Sequence, residues 1–368
     1  MLESRSHTPP AASCPHNWLT QLYAHTSVMD ASRGDGGGVG KANASAVSAW
    51  LSQACLFEEA RHNCFIYAQP SAQRIAEFFS ERACGSASAQ SVVSTLAGRT
   101  LFLFGDSLVR QLVEAVMCRL RGSLIQDGSE WKIPHNRGEA SCFHTVCPLK
   151  KGSARHCRLY DSCSTFAVGN QSAQVATICY RQVIRPGWLQ LAKYWKTYSP
   201  LVRCNRSVVV FNSGAAIYRN VEHSHAWGGD NYTATLHARD AFLAELSESN
   251  ASTLLLPYPQ QHFDHPDGTG EFASTARLAD KRTCVPLNSS GSWRHAQEAA
   301  YVAPFAGAVL GVRQDGEAAW WAHTEGAPNA GGASADCTHY CMPGLPDLWA
   351  SKLFNYVVYG AQDVVRTS

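Results

Sequence analysis

The clearest hydrophobic pattern in the chain is an unbroken apolar run that stops on three small or polar residues and resumes with a different period. In "RTLFLFGDSLVRQLVEAVMCRL" (residues 99–120), positions 101–104 are apolar at every step, as in a strand buried on both faces. Beyond Gly105-Asp106-Ser107, the residues Leu108, Leu112, Val113, Val116, Met117 and Leu120 recur near 3.6 spacing. That spacing predicts a helix with one face on a sheet. The arrangement recurs downstream. "RSVVVFNSGAAI" (206–217) predicts a second buried strand ending in small polar residues, "TATLHARDAFLAELSES" (233–249) an amphipathic helix, and "STLLLPYP" (252–259) a third strand. Nearly all-apolar strands alternating with helices predict a three-layer α/β/α sandwich around a parallel sheet. Such sheets carry their sites at the carboxyl ends of the strands, where Ser107 and Asn212 fall.

The flanks are less regular. Residues 1–48 contain Pro9-Pro10 and "SRGDGGGVGKANAS", a composition that predicts a disordered segment. The glycine run is not a phosphate loop. That pattern requires Gly where Asp35 stands, and Ser or Thr where Ala42 follows Lys41. Residues 49–98 read as a cysteine-containing lead-in packed on the main domain, with "SAQRIAEFFSERACG" a short helix closed by Gly85. The main domain is expected over 99–362, its stretch 121–185 cysteine-rich and without assigned elements. No internal repeat is visible.

Composition narrows the class. At 368 residues the chain can bury a sizeable core. Lys plus Arg (31) nearly balances Asp plus Glu (29), which leaves no electrostatic footprint for nucleic acid or an anionic membrane. Fourteen cysteines spread from Cys14 to Cys341 with no Cys-x-x-Cys among them, which favours disulfides in an oxidising compartment over a zinc ribbon or a thioredoxin-type motif. Asn-x-Ser/Thr acceptors at Asn43, Asn170, Asn205, Asn231, Asn250 and Asn288 point the same way, to the secretory route. The first residues carry no apolar h-region, and no apolar run reaches 18 residues. The secretory reading therefore expects a leader or membrane anchor missing from this sequence.

Chemistry enters with "DCTHYCMPGLPDLW" (336–349). A serine nucleophile needs a base, a group that orients the base, and oxyanion donors. Asp336 and His339, three residues apart, would point the same way in a turn or a first helical turn. Cys337 and Cys341 bracket His339 and would tie the loop down by disulfides; the competing reading is a Cys-x-His-x-Cys metal site. Ser107 has its own competing reading, a helix cap supplied by Asp106 or Ser107. The elbow Gly-x-Ser-x-Gly is absent, because Val109 occupies the second glycine's place, and this disfavours an ordinary α/β-hydrolase. Arg110, one turn past Ser107, and Asn212 are candidate oxyanion donors. An Asx-type turn is the bland reading of Asn212. In "PQQHFDHPDGTG", His262, Phe263 and Asp264 are expected on an exposed turn lining a substrate groove. Trp227, Trp293 and Trp349 are either sugar-stacking platforms or core residues.

"FGDSLVRQ", "VVVFNSG", "PQQHFDHPDGTG" and "DCTHYCMPGLPDLW", in this order, resemble the trichome-birefringence-like/PC-esterase family over residues 84–360. That family belongs to the GDSL/SGNH-hydrolase-like superfamily and includes plant polysaccharide O-acetyltransferases. The resemblance implies Ser107 as nucleophile, Asp336 and His339 as its triad partners, and Gly105, Arg110 and Asn212 around the oxyanion. It also implies a disulfide-bonded, glycosylated domain of the Golgi lumen or secretory pathway. Two departures stand out: Gln111 replaces the usual Asn, and "FNSGAAI" replaces FNTGHWW. The expectation is an O-acetyltransferase that passes an acetyl group through a seryl ester to a polysaccharide or oligosaccharide. No cofactor or metal is bound, and an acetyl donor such as acetyl-CoA serves as co-substrate. The alternatives are an acetyl esterase using the same triad and a non-catalytic carbohydrate-binding protein.

Overall fold

The structure, a computed structural model, describes residues 86–126, 161–168, 175–183, 191–192, 195–196, 199, 207–212, 232–263, 284–287, 303–324, 336–342, 344–360 and 364–366. These residues fall into two compact units. The larger lies within Ser88–Pro259, Ser289–Gln314 and Lys352–Ser368. The smaller takes its described residues chiefly from Gln260–Asn288 and Asp315–Ser351.

The larger unit opens with helix α1 (Ala89–Thr95), whose first turn is capped by the Ser88 side chain accepting from the Ser91 N–H. Strand β1 (Thr100–Gly105) follows, buried at all six positions as its unbroken apolar run requires. Helix α2 (Ser107–Leu120) begins two residues later. Next come β2 (Leu124–Gln126), β3 (Asp161–Phe166), β4 (Ala176–Gln182), β5 (Val208–Phe211), helix α3 (Tyr232–Ser247), β6 (Ser252–Leu255) and β7 (Ala308–Leu310). Strand β10 (Val364–Arg366) completes an eight-stranded sheet ordered β10-β7-β6-β5-β1-β4-β3-β2.

The five central strands β4-β1-β5-β6-β7 run parallel. Strands β2, β3 and β10 add antiparallel edges. The predicted parallel sheet is thus its centre. The stretch 121–185, expected to be irregular, supplies three strands, one of them a direct neighbour of β1. Their residues hid them. "DSCSTF" and "ATICYRQ" mix Ser, Thr, Cys and Arg into the pattern, and part of their order comes from the Cys163–Cys179 disulfide, which joins directly opposed residues of β3 and β4.

Helices cover both faces of this sheet. Phe102 and Phe104, on one face of β1, join Trp195, Phe211, Phe305 and the α3 residues Phe242, Leu243 and Leu246 in an aromatic core. Edge-to-face contacts at 5.2–5.7 Å link Phe211 to Phe305, Phe211 to Phe242, and Trp195 to Phe242. Helix α2 packs against β1 and β4, and none of its buried side chains belongs to that aromatic cluster. It is buried more completely than a single stripe would give. Arg110, Gln111 and Cys118 are inside while Met117, expected on the apolar face, is half-buried.

The smaller unit holds helix α4, which begins at its boundary (Arg313–Ala318), the short β8 (His323–Thr324) and β9 (Asp336–Tyr340) in an antiparallel pair, and the start of helix α5 (Leu345–Tyr359). Gly344 N–H donates to the Asp347 carboxylate at 2.7 Å, closing the α5 N-terminus. Trp349 is fully buried with its ring edge-on to Tyr340, so it takes the core role among its two expected ones. Trp227, Trp293 and the predicted helix at 71–85 lie outside the described residues.

Among the described residues, no helix is long and apolar enough to cross a membrane. Asn250 is exposed between α3 and β6, and the other five glycosylation acceptors lie outside the described residues. Replacing Cys163 and Cys179 together by Ser is expected to cost about 3 kcal/mol, the chain-entropy value for so short a loop. Urea denaturation of the purified double variant against wild type measures it.

Candidate active site

Strand β1 lies at the point where the chain order parts, with β4, β3 and β2 on one side and β5, β6 and β7 on the other. The carboxyl ends of strands at such a switch point form a ready crevice. Gly105 ends β1 there, in register with Gln182 of β4, and Asn212 follows β5 immediately. Gly105 admits no side chain. A Cβ at this position would collide with both the Val109 side chain and Asn212 Oδ1.

Asp106 and Asn212 hold each other from both ends. The Asp106 N–H donates to Asn212 Oδ1 at 3.2 Å, and Asn212 Nδ2 donates to Asp106 Oδ1 at 3.0 Å. The same carboxylate oxygen accepts the Leu108 N–H at 3.0 Å, and the Asp106 carbonyl accepts from the Arg110 N–H and the Tyr180 hydroxyl. Asp106 is therefore the N-cap of α2, and Ser107 is its first helical residue. This resolves the choice between Asp106 and Ser107 as cap. Asn212 does more than line an edge. One of its amide hydrogens is spent on Asp106, and the other has no partner among the described residues. The Arg110 side chain is buried, with Nε 3.6 Å from Glu114 Oε1 one turn along α2. Sequence reading missed Tyr180 and Gln182, which reach this edge from an unrecognised strand; Gln182 Oε1 is buried without a hydrogen-bond partner among the described residues.

In the smaller unit, Asp336 and His339 meet directly. Oδ2 accepts from His339 Nδ1 at 2.7 Å, both side chains being mostly buried. The expected turn or helical start is instead a strand, in which residues three apart should face opposite ways. A bulge reconciles the two. Between the pairs His323↔Tyr340 and Thr324↔Asp336, β9 carries three residues with no partner on β8. Asp336 Oδ1 fills the bulge by accepting the Thr338 and His339 N–H groups, each at 3.1 Å. Burial alone would raise the Asp336 carboxyl. The His339 charge and hydrogen bond, with the two backbone donors, outweigh it and hold the group well below the usual carboxylate range. In the neutral ring, with Nδ1–H committed to the carboxylate, Nε2 is the nitrogen that carries the lone pair.

The bracketing cysteines are oxidised. Cys337 is bonded to Cys284, and Cys341 is also in a disulfide. Neither sulfur is then a thiolate ligand, which removes the Cys-x-His-x-Cys metal reading. No group of three or more His, Cys, Asp or Glu placed to hold a metal occurs among the described residues.

The groove expected at 262–264 is corrected. His262 is fully buried, its Nδ1 3.1 Å from the Val285 carbonyl and its Nε2 3.0 Å from the Gly316 carbonyl. Phe263 packs against the Cys284–Cys337 disulfide. Both serve the interior, because their segment pairs with β9 through the bond from His262 N–H to the Cys337 carbonyl. Asp264 lies outside the described residues.

Residues 306–356 match the PC-Esterase family. It is described as the GDSL/SGNH-like acyl-esterase family found in Pmr5 and Cas1p. The matched PC-esterase segment runs from just before β7 into α5 and includes Asp336 and His339. Ser107, Arg110 and Asn212 lie outside it, in the larger unit. No curated protein matches the chain. The central, mostly parallel α/β sheet is consistent with the SGNH-like fold of the PC-esterase match.

Two outcomes follow from these contacts. Asp106→Ala removes a cap worth about 1 kcal/mol and strands the buried Asn212 amide for about 1–3 kcal/mol more. Asp106→Asn keeps an acceptor at Oδ1 and is expected to lose far less; chemical denaturation of both variants checks the contrast. His262 supplies the second. Burial lowers its pKa to about 4 from 6.5, outweighing its two carbonyl neighbours. The unfolded chain therefore binds a proton that the folded chain refuses between those values. Stability is full above pH 6.5 and falls as pH drops toward 4, by about 3 kcal/mol from this residue. His262→Gln should flatten the measured slope of stability against pH in that window.

Proposed function

We propose that this protein is a serine acyltransferase that moves an acetyl group through Ser107 to hydroxyls of a secretory-pathway polysaccharide. The observation that carries the reading is the Asp336–His339 hydrogen bond, 2.7 Å long, lying within the segment that matches an acyl-esterase family. A carboxylate on Nδ1 fixes the tautomer a general base needs and stabilises the imidazolium formed during transfer. Ser107 supports the reading from its own unit. It stands at a sheet switch point, half-buried, with the capping duty assigned to Asp106.

In the first step His339 Nε2 takes the Ser107 hydroxyl proton as Oγ bonds to the acetyl carbonyl carbon. The tetrahedral adduct collapses, its bond to the donor's leaving atom breaks, and that atom takes the proton from His339. In the second step a sugar hydroxyl gives its proton to His339 and its oxygen bonds to the acetyl carbon. The bond to Ser107 Oγ then breaks and the serine is reprotonated. The remaining amide hydrogen of Asn212, the Arg110 guanidinium and the backbone at Gly105 are the proposed oxyanion donors, each worth about 10²–10³ in rate. An acetyl esterase differs only in admitting water to the second step.

The test is intact mass after incubation with an activated acetyl ester, followed by addition of xylan, mannan or pectin oligosaccharides. The expected result is an acetyl adduct mapping to Ser107, then acetylated oligosaccharide in excess of free acetate. Free acetate alone would assign an esterase. Ser107→Ala and His339→Ala should each lose at least about 10³-fold in turnover. A Ser107→Ala protein that turns over like wild type overturns the reading.

A further inference from the structure

We infer that His323 is a positioning residue for His339, holding the bulge of β9 by donating from its ring to the His339 carbonyl. The inference rests on the proposed role of His339 as base. It starts from a count of backbone groups. A bulge takes residues out of the strand ladder, and each then needs a new hydrogen-bond partner if buried. Here the substitutes come from side chains and a neighbouring segment. Asp336 Oδ1 takes the Thr338 and His339 N–H groups. The Cys337 carbonyl accepts from the His262 N–H at 3.1 Å. Gln261 Nε2 donates to Thr338 Oγ1 at 2.7 Å. The His339 carbonyl has its partner in His323, whose Nδ1 lies 2.9 Å from it.

The ring is built into that position. It is fully buried, stacked on Tyr340 with centroids 4.1 Å apart and planes at 25°, and it meets the His262 ring at 5.1 Å. Tyr340 is itself fixed by its hydroxyl bond to the Gln260 carbonyl at 2.9 Å. The titratable groups acting on His323 are His262, Asp336 and His339. Burial, followed by His262, drives its pKa well below the ordinary histidine value, so the ring is neutral. A neutral ring has one N–H, and the His339 carbonyl is an acceptor only, so that hydrogen belongs on Nδ1. The imidazole of His339 is thereby set by Asp336 at its ring and by His323 at its own backbone.

The test uses the full chain with three substitutions. Asn places a side-chain N–H near the Nδ1 position, Gln places one near Nε2, and Phe keeps the stack without a donor. Turnover of an activated acetyl ester is normalised to the fraction of serine that acylates. His323→Phe and His323→Gln are expected to lower kcat about 10²-fold with KM nearly unchanged, the scale of an ångström-sized misplacement. His323→Asn should restore most of it. In parallel, the low-field proton resonance of the Asp336–His339 hydrogen bond should vanish or broaden with Phe and Gln and persist with Asn. Equal behaviour of Asn and Gln, or an unchanged resonance with Phe, overturns the inference. If instead Ser107→Ala keeps full turnover, the nucleophile assignment fails, and the resonance comparison still decides the role of His323.

Discussion

The reciprocal hydrogen bond between Asp106 and Asn212 is the constraint on which the central sheet edge depends. Strands β1 and β5 are parallel neighbours, so their carboxyl ends stop side by side with backbone groups that lack further strand to bond. Asp106 and Asn212 close that edge between them, one through its amide N–H and carboxylate, the other through both ends of its side chain. The closure draws Asn212 against the Cα of Gly105, and only glycine fits. It also turns the chain into α2 with a buried carboxylate as cap, and Ser107 is the first residue of that helix. The backbone at β1 and the origin of α2 thus follow from a single pair of polar side chains.

Asp336 repeats the device in a different setting. Each aspartate accepts the N–H two residues ahead, at 3.0 Å for Asp106 and 3.1 Å for Asp336, and each then reaches a side chain. At Asp106 the reach is across the sheet to Asn212. At Asp336 it is local, to the ring of His339. At Asp336 burial alone would favour the neutral acid, and the His339 charge and hydrogen bonds outweigh that and keep the carboxylate ionised. Its charge then serves the neighbouring imidazole.

The parts of the fold legible in the sequence were those written as apolar runs. The strands at 100–105, 208–211 and 252–255 and the helices at 107–120 and 232–247 fall where their periodicity places them. Strands β3 and β4 were not legible, because neighbouring strands and the disulfide between them set their order, and none of that is local. At the candidate site, the sequence offered the residue types but not their duties. Asp336 and His339 were readable as a pair, yet the β9 bulge that lets them meet is set by pairing with β8, whose Thr324 lies twelve residues upstream of Asp336. His262 looked like a loop histidine beside Pro and Gly. Its burial is decided by Cys284 and Cys337, distant in sequence, whose bridge pins the segment against β9. Asp106 looked like a generic cap, and its bond to a residue 106 positions away could not be inferred from its neighbours.

The Cys284–Cys337 bridge places a sulfur between Asp336 and Thr338, within the bulge that aligns the histidine. The geometry of the candidate base is therefore a product of covalent maturation as well as of folding. Until those two thiols are oxidised, the bulge lacks its only covalent anchor among the described residues. Any host that makes this chain under reducing conditions would yield the sequence without the tether.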